Sequence, residues 1–300
     1  MGIVGRVMRQ YRKHGLAGVL GATGRSVARL ARLAFDLGFV LLTSEFFKPA
    51  TGRGYGIGFL QKVGIALRFA RNSRHIRAAS DWKEHLLMAT EILKLPPQLE
   101  GAVVECGAFC GFSTANLSIA CKLCGRRLYV CDSFEGLPKP KEDEGLTIIP
   151  QRREHYDFHE GQYEGALDLV QHNVARFGEP EVCTFIKGYF EQTLPGLDVK
   201  AVLVFEDADL KSSVETCLKH LWPRLQPGCA FYCHEPWSAQ IVELFYSRQF
   251  WREALDAEPP GFFGSGFGIP LGPAKGSGIG FARKIDLQDY LSHSTLRKGM

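Results

Sequence analysis

The sequence contains no apolar run that approaches the ~20 residues a membrane-spanning helix needs. It also lacks the pattern of a small disulfide framework, because its nine cysteines are an odd number and stand in apolar surroundings. Cys121 and Cys124 form one Cys-x-x-Cys pair, and no second pair completes a zinc site. These absences argue against an integral membrane protein and a disulfide-stabilised secreted domain. We expect reduced thiols in a cytoplasmic compartment.

Signals for targeting are weak in the first residues. The stretch 15–24 follows basic residues but is too rich in glycine for the apolar core of a signal peptide. Arg6 stands where an N-myristoylation signal requires Ser or Thr. We therefore expect neither signal to operate.

Acidic residues are scarce in residues 1–80, where only Asp36 and Glu45 stand against 14 lysines and arginines. Residues 81–300 hold 22 lysines and arginines and 30 acidic residues, so the charge is divided along the chain. This pattern predicts a basic helical N-terminal extension over residues 1–80 whose partner is acidic. An anionic membrane surface and the acidic remainder of the chain are both candidates, as is an arm whose basic side is simply solvated. We expect no specific nucleic-acid partner, and a homo-oligomer is compatible with the sequence.

From residue 81 onward, apolar stretches of strand length alternate with helical patterns. A capping-box pattern at Asp81 and Glu84 begins a helix, which Pro96 and Pro97 end. Strands are expected over residues 102–106, 127–132, 182–186, 201–207 and 229–233, with a glycine-rich pair of strands between residues 261 and 284. Helices are expected over residues 113–123, 167–177, 210–225 and 238–250, and residues 133–160 as a long polar connection. This alternation predicts an α/β fold with a mostly parallel sheet covered by helices on both faces.

Polar residues stand where four of these strands end. They are Glu105, Asp132, Asp207 and the pair His234-Glu235. Ligands of open α/β sheets bind at the carboxyl ends of the strands. We therefore expect one site at this edge of the sheet, over a body that spans residues 81–285 and is followed by a tail of residues 286–300.

The first strand leads into Glu105-x-Gly107-x-x-x-Gly111 and not into the G-x-G-x-x-G of a dinucleotide fold. A carboxylate on the strand would repel a pyrophosphate, which disfavours a nicotinamide-dependent oxidoreductase. It suits a cationic ligand such as S-adenosylmethionine, which carries a sulfonium and an ammonium and no phosphate. Asp132 is placed to accept hydrogen bonds from ribose hydroxyls. A tight strand-to-helix turn without a ligand is the alternative interpretation.

Five stretches, in this order and spacing, resemble the macrocin O-methyltransferase family: VVECGAFCG, VCDSFEGLPKP, IKGYFEQTLP, FEDADLKSS and LQPGCAFYCHEP. Members of that family are class I enzymes that use S-adenosylmethionine and a divalent metal to methylate sugar hydroxyls. The resemblance covers about residues 100–285. It implies a Rossmann-like methyltransferase sheet with an antiparallel last strand.

The resemblance assigns roles position by position. The cofactor set it implies is Glu105, Gly107, Gly111, Ser113, Thr114, Asp132, Ser133, Gly188 and Tyr189. Asp207 matches the first metal-binding aspartate, but His234-Glu235 stands where the family has two adjacent aspartates. One nitrogen and one oxygen in place of two oxygens fit Mg²⁺ less well, and favour Mn²⁺, Fe²⁺, Zn²⁺ or no metal. The family's histidine base falls in the polar connection, where His155 and His159 are both candidates.

The resulting hypothesis is an S-adenosylmethionine-dependent O-methyltransferase, a transferase that acts on a hydroxyl of a small molecule. A sugar or other polyhydroxylated natural product is the expected acceptor. The rival hypothesis is a catalytically altered methyltransferase-like scaffold or binding module at a membrane surface, supported by His234-Glu235 and the basic extension. The expected location is cytoplasmic, with peripheral membrane association if the extension binds lipid.

Overall fold

A computed structural model of the chain describes residues 35–36, 38–142, 144, 146–149, 154–271 and 276–285, with the side chains of residues 146–149, 154 and 155 left out. The chain divides into two units, residues 1–47 and 48–300. In the first unit, residues 38–43 are helical and Glu45–Phe47 forms a 3-10 turn. The predictions for residues 1–34 and for the tail of residues 286–300 lie outside the described residues.

The second unit is built around eight strands and eight α-helices within the described ranges. The strands are β1 (Ala102–Cys106), β2 (Leu128–Asp132), β3 (Leu146–Ile149), β4 (Glu154–Asp157), β5 (Cys183–Lys187), β6 (Ala201–Glu206), β7 (Leu225–Cys233) and β8 (Gly280–Arg283). The helices are α1 (Phe59–Asn72), α2 (Trp82–Lys94), α3 (Phe112–Leu123), α4 (Leu167–Phe177), α5 (Phe190–Thr193), α6 (Lys211–Leu221), α7 (Ala239–Leu244) and α8 (Arg248–Leu255). None of these helices is both long enough and apolar enough to cross a bilayer.

Six strands form one sheet in the order β5-β2-β1-β6-β7-β8. Neighbouring strands are parallel from β5 to β7, and β8 runs antiparallel to β7. Every residue of the central strands β1 and β6 is buried, because helices cover both faces of the sheet. The predicted fold class is confirmed, including its antiparallel last strand.

The predicted helix from Asp81 is confirmed as α2. The Asp81 carboxylate accepts a hydrogen bond from the backbone N–H of Lys83, and Glu84 Oε2 accepts one from the backbone N–H of Asp81 at 2.8 Å. This reciprocal pair satisfies N–H groups that a helix start leaves without partners. It also fixes the position of the Glu84 side chain.

Three predicted elements differ from the structure. The polar connection of residues 133–160 contains an antiparallel hairpin of β3 and β4, whose four-residue strands are too short to show a period. The helix predicted over residues 238–250 is two helices, α7 and α8, because the Ser247 hydroxyl accepts a hydrogen bond from the Phe250 N–H and starts a new helix. In the described part of the glycine-rich segment, residues 261–271 and 276–284, one strand, β8, forms, and Phe263 contributes a single bridge to it.

The nine cysteines are all free, as the sequence predicts. Cys121 and Cys124 of the Cys-x-x-Cys pair lie in the last turn of α3 and just after it. Burial raises the pKa of both thiols, for Cys124 to about 12, so neither has the thiolate character of a redox or metal-binding cysteine.

Candidate active site

A cavity of about 460 Å³ opens at the carboxyl edge of the sheet. Its walls come from the ends of β1, β2, β6 and β7, from residues 77–81 before α2, and from parts of the connection between β2 and α4. Parallel strands bring their carboxyl ends to one edge, so residues far apart in the sequence meet here. The location agrees with the expectation from the four polar strand ends.

The predicted site residues divide into two groups. Those that line the cavity are Gly107, Ser113, Asp132, Ser133, Tyr189, Asp207 and His234. The predicted residues that do not line it are Glu105, Gly111, Thr114, Gly188, Glu235 and His159. The backbone of His155 lies in β4, and its side chain lies outside the described part of the chain.

Gly107 makes the close approach of two strand ends possible. Its φ is +92°, and a Cβ atom there would collide with the carbonyl oxygen of Asp207. The Asp207 N–H donates to the Cys106 carbonyl oxygen at 2.8 Å, and the Gly107 N–H donates to that of Cys131 at 3.0 Å. A glycine is required because any side chain would push the β1 and β6 ends apart.

Asp132 is held rigidly at the end of β2. Its two carboxylate oxygens accept hydrogen bonds from the backbone N–H groups of Ala108 and Phe134, each at 2.6 Å. Burial raises the pKa of this carboxyl, and the N–H donors oppose that effect. Each oxygen keeps a second lone pair, so the carboxylate can still accept a hydrogen bond from a ligand in the cavity.

Glu105 lies behind the loop that follows β1. Its side chain is fully buried, and neither carboxylate oxygen has a hydrogen-bond partner among the described residues. Burial raises the pKa of Glu105 to about 8, although the nearby hydroxyls of Ser113 and Thr114 lower it in part. The carboxyl therefore holds a proton at neutral pH. A cation in the cavity would favour its ionised form.

His234 bridges two carboxylates at the other side of the cavity. Its Nδ1 lies 3.2 Å from Asp207 Oδ1, and its Nε2 lies 3.5 Å from Glu84 Oε2. Burial lowers the pKa of His234, but the two carboxylates outweigh that effect and hold the pKa well above its usual range. Burial likewise raises the pKa of Glu84, but His234 and two backbone N–H donors hold it at about 2. The ring thus lies between two carboxylates, and its Nε2 is buried without a hydrogen-bond partner among the described residues.

The sequence predicts Asp207 and His234 at this site but does not predict Glu84. The only signal for Glu84 is its place in the capping box of α2, which is a common feature of helix starts. Its contact with His234 depends on how α2 packs beside the sheet.

The predicted metal ligands Asp207, His234 and Glu235 each offer a ligand atom within 4.8 Å of the others, close enough together to surround one ion. Glu235 is fully buried, does not line the cavity, and accepts a hydrogen bond from the Cys233 thiol at 3.2 Å. His234 Nδ1 lies 3.2 Å from Asp207 Oδ1, and its Nε2 lies 3.5 Å from Glu84 Oε2. Of the three, only Asp207 offers an oxygen to the cavity.

The candidate base residues of the polar connection are separated from the cavity or undescribed. His159 is exposed, and its Nδ1 lies 3.2 Å from the carbonyl oxygen of Glu160. Polar groups that do line the cavity include Tyr156, Tyr163 and Asp209. Asp209 has a φ of +59°, and burial together with Asp207 raises its pKa to about 7.

One solved structure shows the same architecture. The O-methyltransferase NovP superposes on 69% of this chain and 81% of its own with a TM-score of 0.54, at 17% identity. At that identity the likeness shows the fold, a class I methyltransferase sheet.

Two characterised relatives align with the body of the chain. The 8-demethyl-8-(2,3-dimethoxy-alpha-L-rhamnosyl)-tetracenomycin-C 4'-O-methyltransferase of Streptomyces olivaceus is 34% identical over 133 residues, which are 43% of this chain and 50% of that protein. The mycinamicin III 3''-O-methyltransferase of Micromonospora griseorubida is 30% identical over 183 residues, which are 51% of this chain and 69% of that protein. The chain thus spans half the length of the first relative and somewhat over two thirds of the second.

The model of the macrocin-O-methyltransferase (TylF) family matches residues 85–240. The match begins at the fourth residue of α2 and ends in α7, so it includes Asp132, Asp207 and His234 and all strands of the main sheet except β8. It covers just over half of the 300 residues. The chain belongs to the macrocin-O-methyltransferase family.

Proposed function

We propose that the protein transfers a methyl group from S-adenosylmethionine to a hydroxyl of a sugar or another polyhydroxylated natural product. The observation that carries this proposal is Asp132, a carboxylate fixed by two backbone N–H groups at the end of β2 and facing the cavity. Such an acid suits the two vicinal hydroxyls of a ribose. The relatives named above are O-methyltransferases of glycosylated natural products, which supports the acceptor class.

The charges around the cavity suit a cation and not a pyrophosphate. The acidic residues on its wall outnumber the basic ones: Asp81, Glu84, Asp132, Glu191, Asp207 and Asp209 line it, with Arg77 and His234. A nicotinamide dinucleotide would bring two negative phosphate groups into this acidic region, which is unfavourable. S-adenosylmethionine brings a positive charge and no phosphate.

S-adenosylmethionine, when bound, supplies a methyl group on a positively charged sulfur. The chain's part is to hold the acceptor hydroxyl in line with that methyl group and to keep water out. Phe109, Phe112, Phe158 and Trp237 give the cavity apolar walls. An apolar wall favours transfer because the positive charge on sulfur disappears during the reaction, and water stabilises that charge best. A carboxylate at the cavity edge receives the hydroxyl proton.

Isothermal titration calorimetry with S-adenosylmethionine tests the proposal, with NADH as the competing cofactor class. We expect binding of S-adenosylmethionine alone. Asp132→Asn should weaken it by about tenfold or more, because it replaces an ionic acceptor of the ribose hydroxyls. Glu135→Gln is the matched control, since Glu135 is exposed and pairs with Lys187 outside the cavity wall.

The outcomes separate the hypotheses. Binding of NADH in place of S-adenosylmethionine would indicate an oxidoreductase. Failure of the folded wild-type chain to bind either ligand would remove the enzymatic proposal and leave the scaffold hypothesis. Thermal unfolding of each variant checks that a loss of binding is not a loss of fold.

A further inference from the structure

Arg77 and Ser80 line the cavity from the segment between α1 and α2, and the function described above gives neither of them a role. The Arg77 guanidinium lies over the Phe109 ring, 5.2 Å from its centroid. That contact holds the cation beside the loop of residues 107–111, which joins β1 to α3. A cation and a hydroxyl from one short segment therefore reach the same cavity.

A buried chain of side chains behind this segment fixes the direction of its hydrogen bonds. Asn72 Nδ2 donates to the carbonyl oxygen of Phe177 at 3.2 Å and to Asn116 Oδ1 at 2.9 Å. A backbone carbonyl oxygen can only accept, so it shows which end of the Asn72 amide carries the hydrogens. Asn116 therefore presents its oxygen to Asn72 and its Nδ2 to His85.

The same chain sets the tautomer of His85. Asn116 Nδ2 lies 2.8 Å from His85 Nδ1 and donates to it, so Nδ1 holds a lone pair. The ring is fully buried against Phe112, and burial lowers the pKa of His85 to about 4, so the ring is neutral at pH 7. Its one N–H is therefore at Nε2, which lies 2.9 Å from Ser80 Oγ and donates to it.

The consequence for Ser80 is a hydroxyl of fixed polarity. Its oxygen accepts from His85, and its own hydrogen is left to donate. Ser80 Oγ has no other hydrogen-bond partner in the described part of the chain, and the residue lines the cavity. The hydroxyl thus suits a ligand group that accepts a hydrogen bond.

The charges on the cavity wall indicate what that group is. Among the described residues on this wall, the basic ones are Arg77 and His234, and the imidazole of His234 lies between Asp207 and Glu84. Within the described ranges Arg77 forms no ion pair. S-adenosylmethionine has a single anionic group, the carboxylate of its methionine part. A guanidinium and a hydroxyl donor are both suited to a carboxylate.

We propose that Arg77 and Ser80 bind the methionine carboxylate of S-adenosylmethionine, and that His85 and Asn116 keep the Ser80 hydroxyl as a donor. This inference rests on the proposed methyltransferase function. Arg77 and Ser80 contact the cofactor, whereas His85 and Asn116 act through Ser80 and are positioning residues.

Calorimetry of the full chain with two ligands tests the carboxylate contact. One is S-adenosylmethionine, and the other is its decarboxylated analogue, which keeps the sulfonium and the ammonium. Ser80→Ala should weaken binding of S-adenosylmethionine by about tenfold, because it removes a hydrogen bond to a charged group, and should leave the analogue unchanged. Arg77→Gln should weaken S-adenosylmethionine by about threefold or more, since Arg77 is exposed. It should not weaken the analogue, which carries one more net positive charge.

Matched controls come from the end of α1 and the residues after it. Ser73→Ala and Arg74→Gln make the same changes at exposed residues outside the cavity wall, where the Ser73 hydroxyl donates to the Ala70 carbonyl oxygen. Both variants should bind the two ligands as the wild type does. Thermal unfolding of every variant checks that it is folded.

Nuclear magnetic resonance of ¹⁵N-labelled histidine rings tests the positioning role of His85. At pH 7.5 its ring should carry the hydrogen on Nε2 and a lone pair on Nδ1, and His85→Asn identifies the signal by removing it. His85→Asn lacks a donor that reaches Ser80 and should weaken S-adenosylmethionine by about threefold or more. Added to Ser80→Ala, it should cause no further loss. His85→Gln, whose longer amide can reach Ser80, should restore the affinity.

Equal losses of affinity for the two ligands in Ser80→Ala and Arg77→Gln would overturn the inference, as would no loss for either. A hydrogen on Nδ1 of His85 would overturn the positioning role. These results would leave the methyltransferase proposal intact, because the wild type still binds S-adenosylmethionine in each case. A folded wild type that binds neither ligand would instead contradict the proposed function.

Discussion

At the scale of single residues, Gly107 is a position where the neighbouring backbone leaves no room for a side chain. Its φ of +92° is unfavourable for any other residue, and an added Cβ atom would meet the carbonyl oxygen of Asp207. We expect Gly107→Ala to lower the free energy of unfolding by about 3 kcal/mol or more, because strain and collision add. Urea unfolding measures this loss. Calorimetry of the folded fraction should show weaker binding of S-adenosylmethionine, since Asp207 must move.

Gly125→Ala is the matched control for that change. Gly125 has a φ of +64°, and no atom lies within 4 Å of the place its Cβ would take. It should cost only the conformational strain, about 1 kcal/mol, and leave ligand binding unchanged. Equal losses of unfolding free energy in the two variants would show that the collision with Asp207 does not destabilise the protein.

Single residues also show how far the sequence predicts the site. Asp132 and Asp207 could be placed because a residue at the end of a parallel strand has a known location. Glu84 could not, because its contact with His234 joins a helix to a distant strand end. The family resemblance assigns Glu105 to the cofactor set, and the structure buries its side chain outside the cavity wall. Strand direction fixes where a residue lies, but the depth of its side chain depends on the turn that follows.

At the scale of elements, a buried polar network joins α1, α2 and α3. His85 Nδ1 lies 2.8 Å from Asn116 Nδ2, and Asn116 Oδ1 accepts from Asn72 Nδ2 at 2.9 Å. His85 Nε2 lies 2.9 Å from the Ser80 hydroxyl, which lies on the cavity wall. Every polar atom of the ring therefore has a partner in a fully buried place. The network specifies how the three helices pack.

This network predicts loss of stability in mild acid. Burial lowers the pKa of His85 to about 4 from an ordinary value near 6.5. The neutral His85 ring therefore makes its full contribution to the free energy of unfolding above pH 6.5. That contribution is lost as the pH falls toward 4, by about 3 kcal/mol in total. Urea unfolding at several pH values should show that the free energy of unfolding falls less in this pH window for His85→Gln than for the wild type. The exposed His159→Gln should behave as the wild type, and parallel curves for all three would contradict the assignment.

Elements also differ in how well the sequence predicts them. The helix starting at Asp81 and the five parallel strands were predictable because caps and buried runs are local signals. The break at Ser247 was not, since the apolar pattern continues through it. The hairpin of β3 and β4 was missed for a related reason. Its strands are four residues long and pair with each other and not with the main sheet.

At the scale of the whole molecule, several buried carboxyl groups near the cavity have raised pKa values. Burial raises the pKa of Glu105 to about 8, and burial with Asp207 raises that of Asp209 to about 7. Burial also raises the pKa of the neighbouring carboxyls Glu206 and Glu235. At neutral pH Glu105, Glu206 and Asp209 are partly or fully protonated, so the free protein carries fewer negative charges near the cavity than its acidic residues suggest. A bound cation favours the ionised form of each group.

Binding of S-adenosylmethionine should therefore release protons. Because the free protein holds more protons than the complex, affinity should rise with pH between about 6 and 8 and level off above the raised pKa values. Calorimetry at pH 7.5 in phosphate and in Tris counts the protons, since the two buffers differ in ionisation enthalpy. We expect release of about half a proton or more. S-adenosylhomocysteine lacks the transferred methyl group and the sulfonium charge and should release fewer protons, and Glu105→Gln should reduce the count for the charged ligand. Equal release by both ligands would mean that shape and not charge moves the protons, and would remove the electrostatic argument for a cationic cofactor.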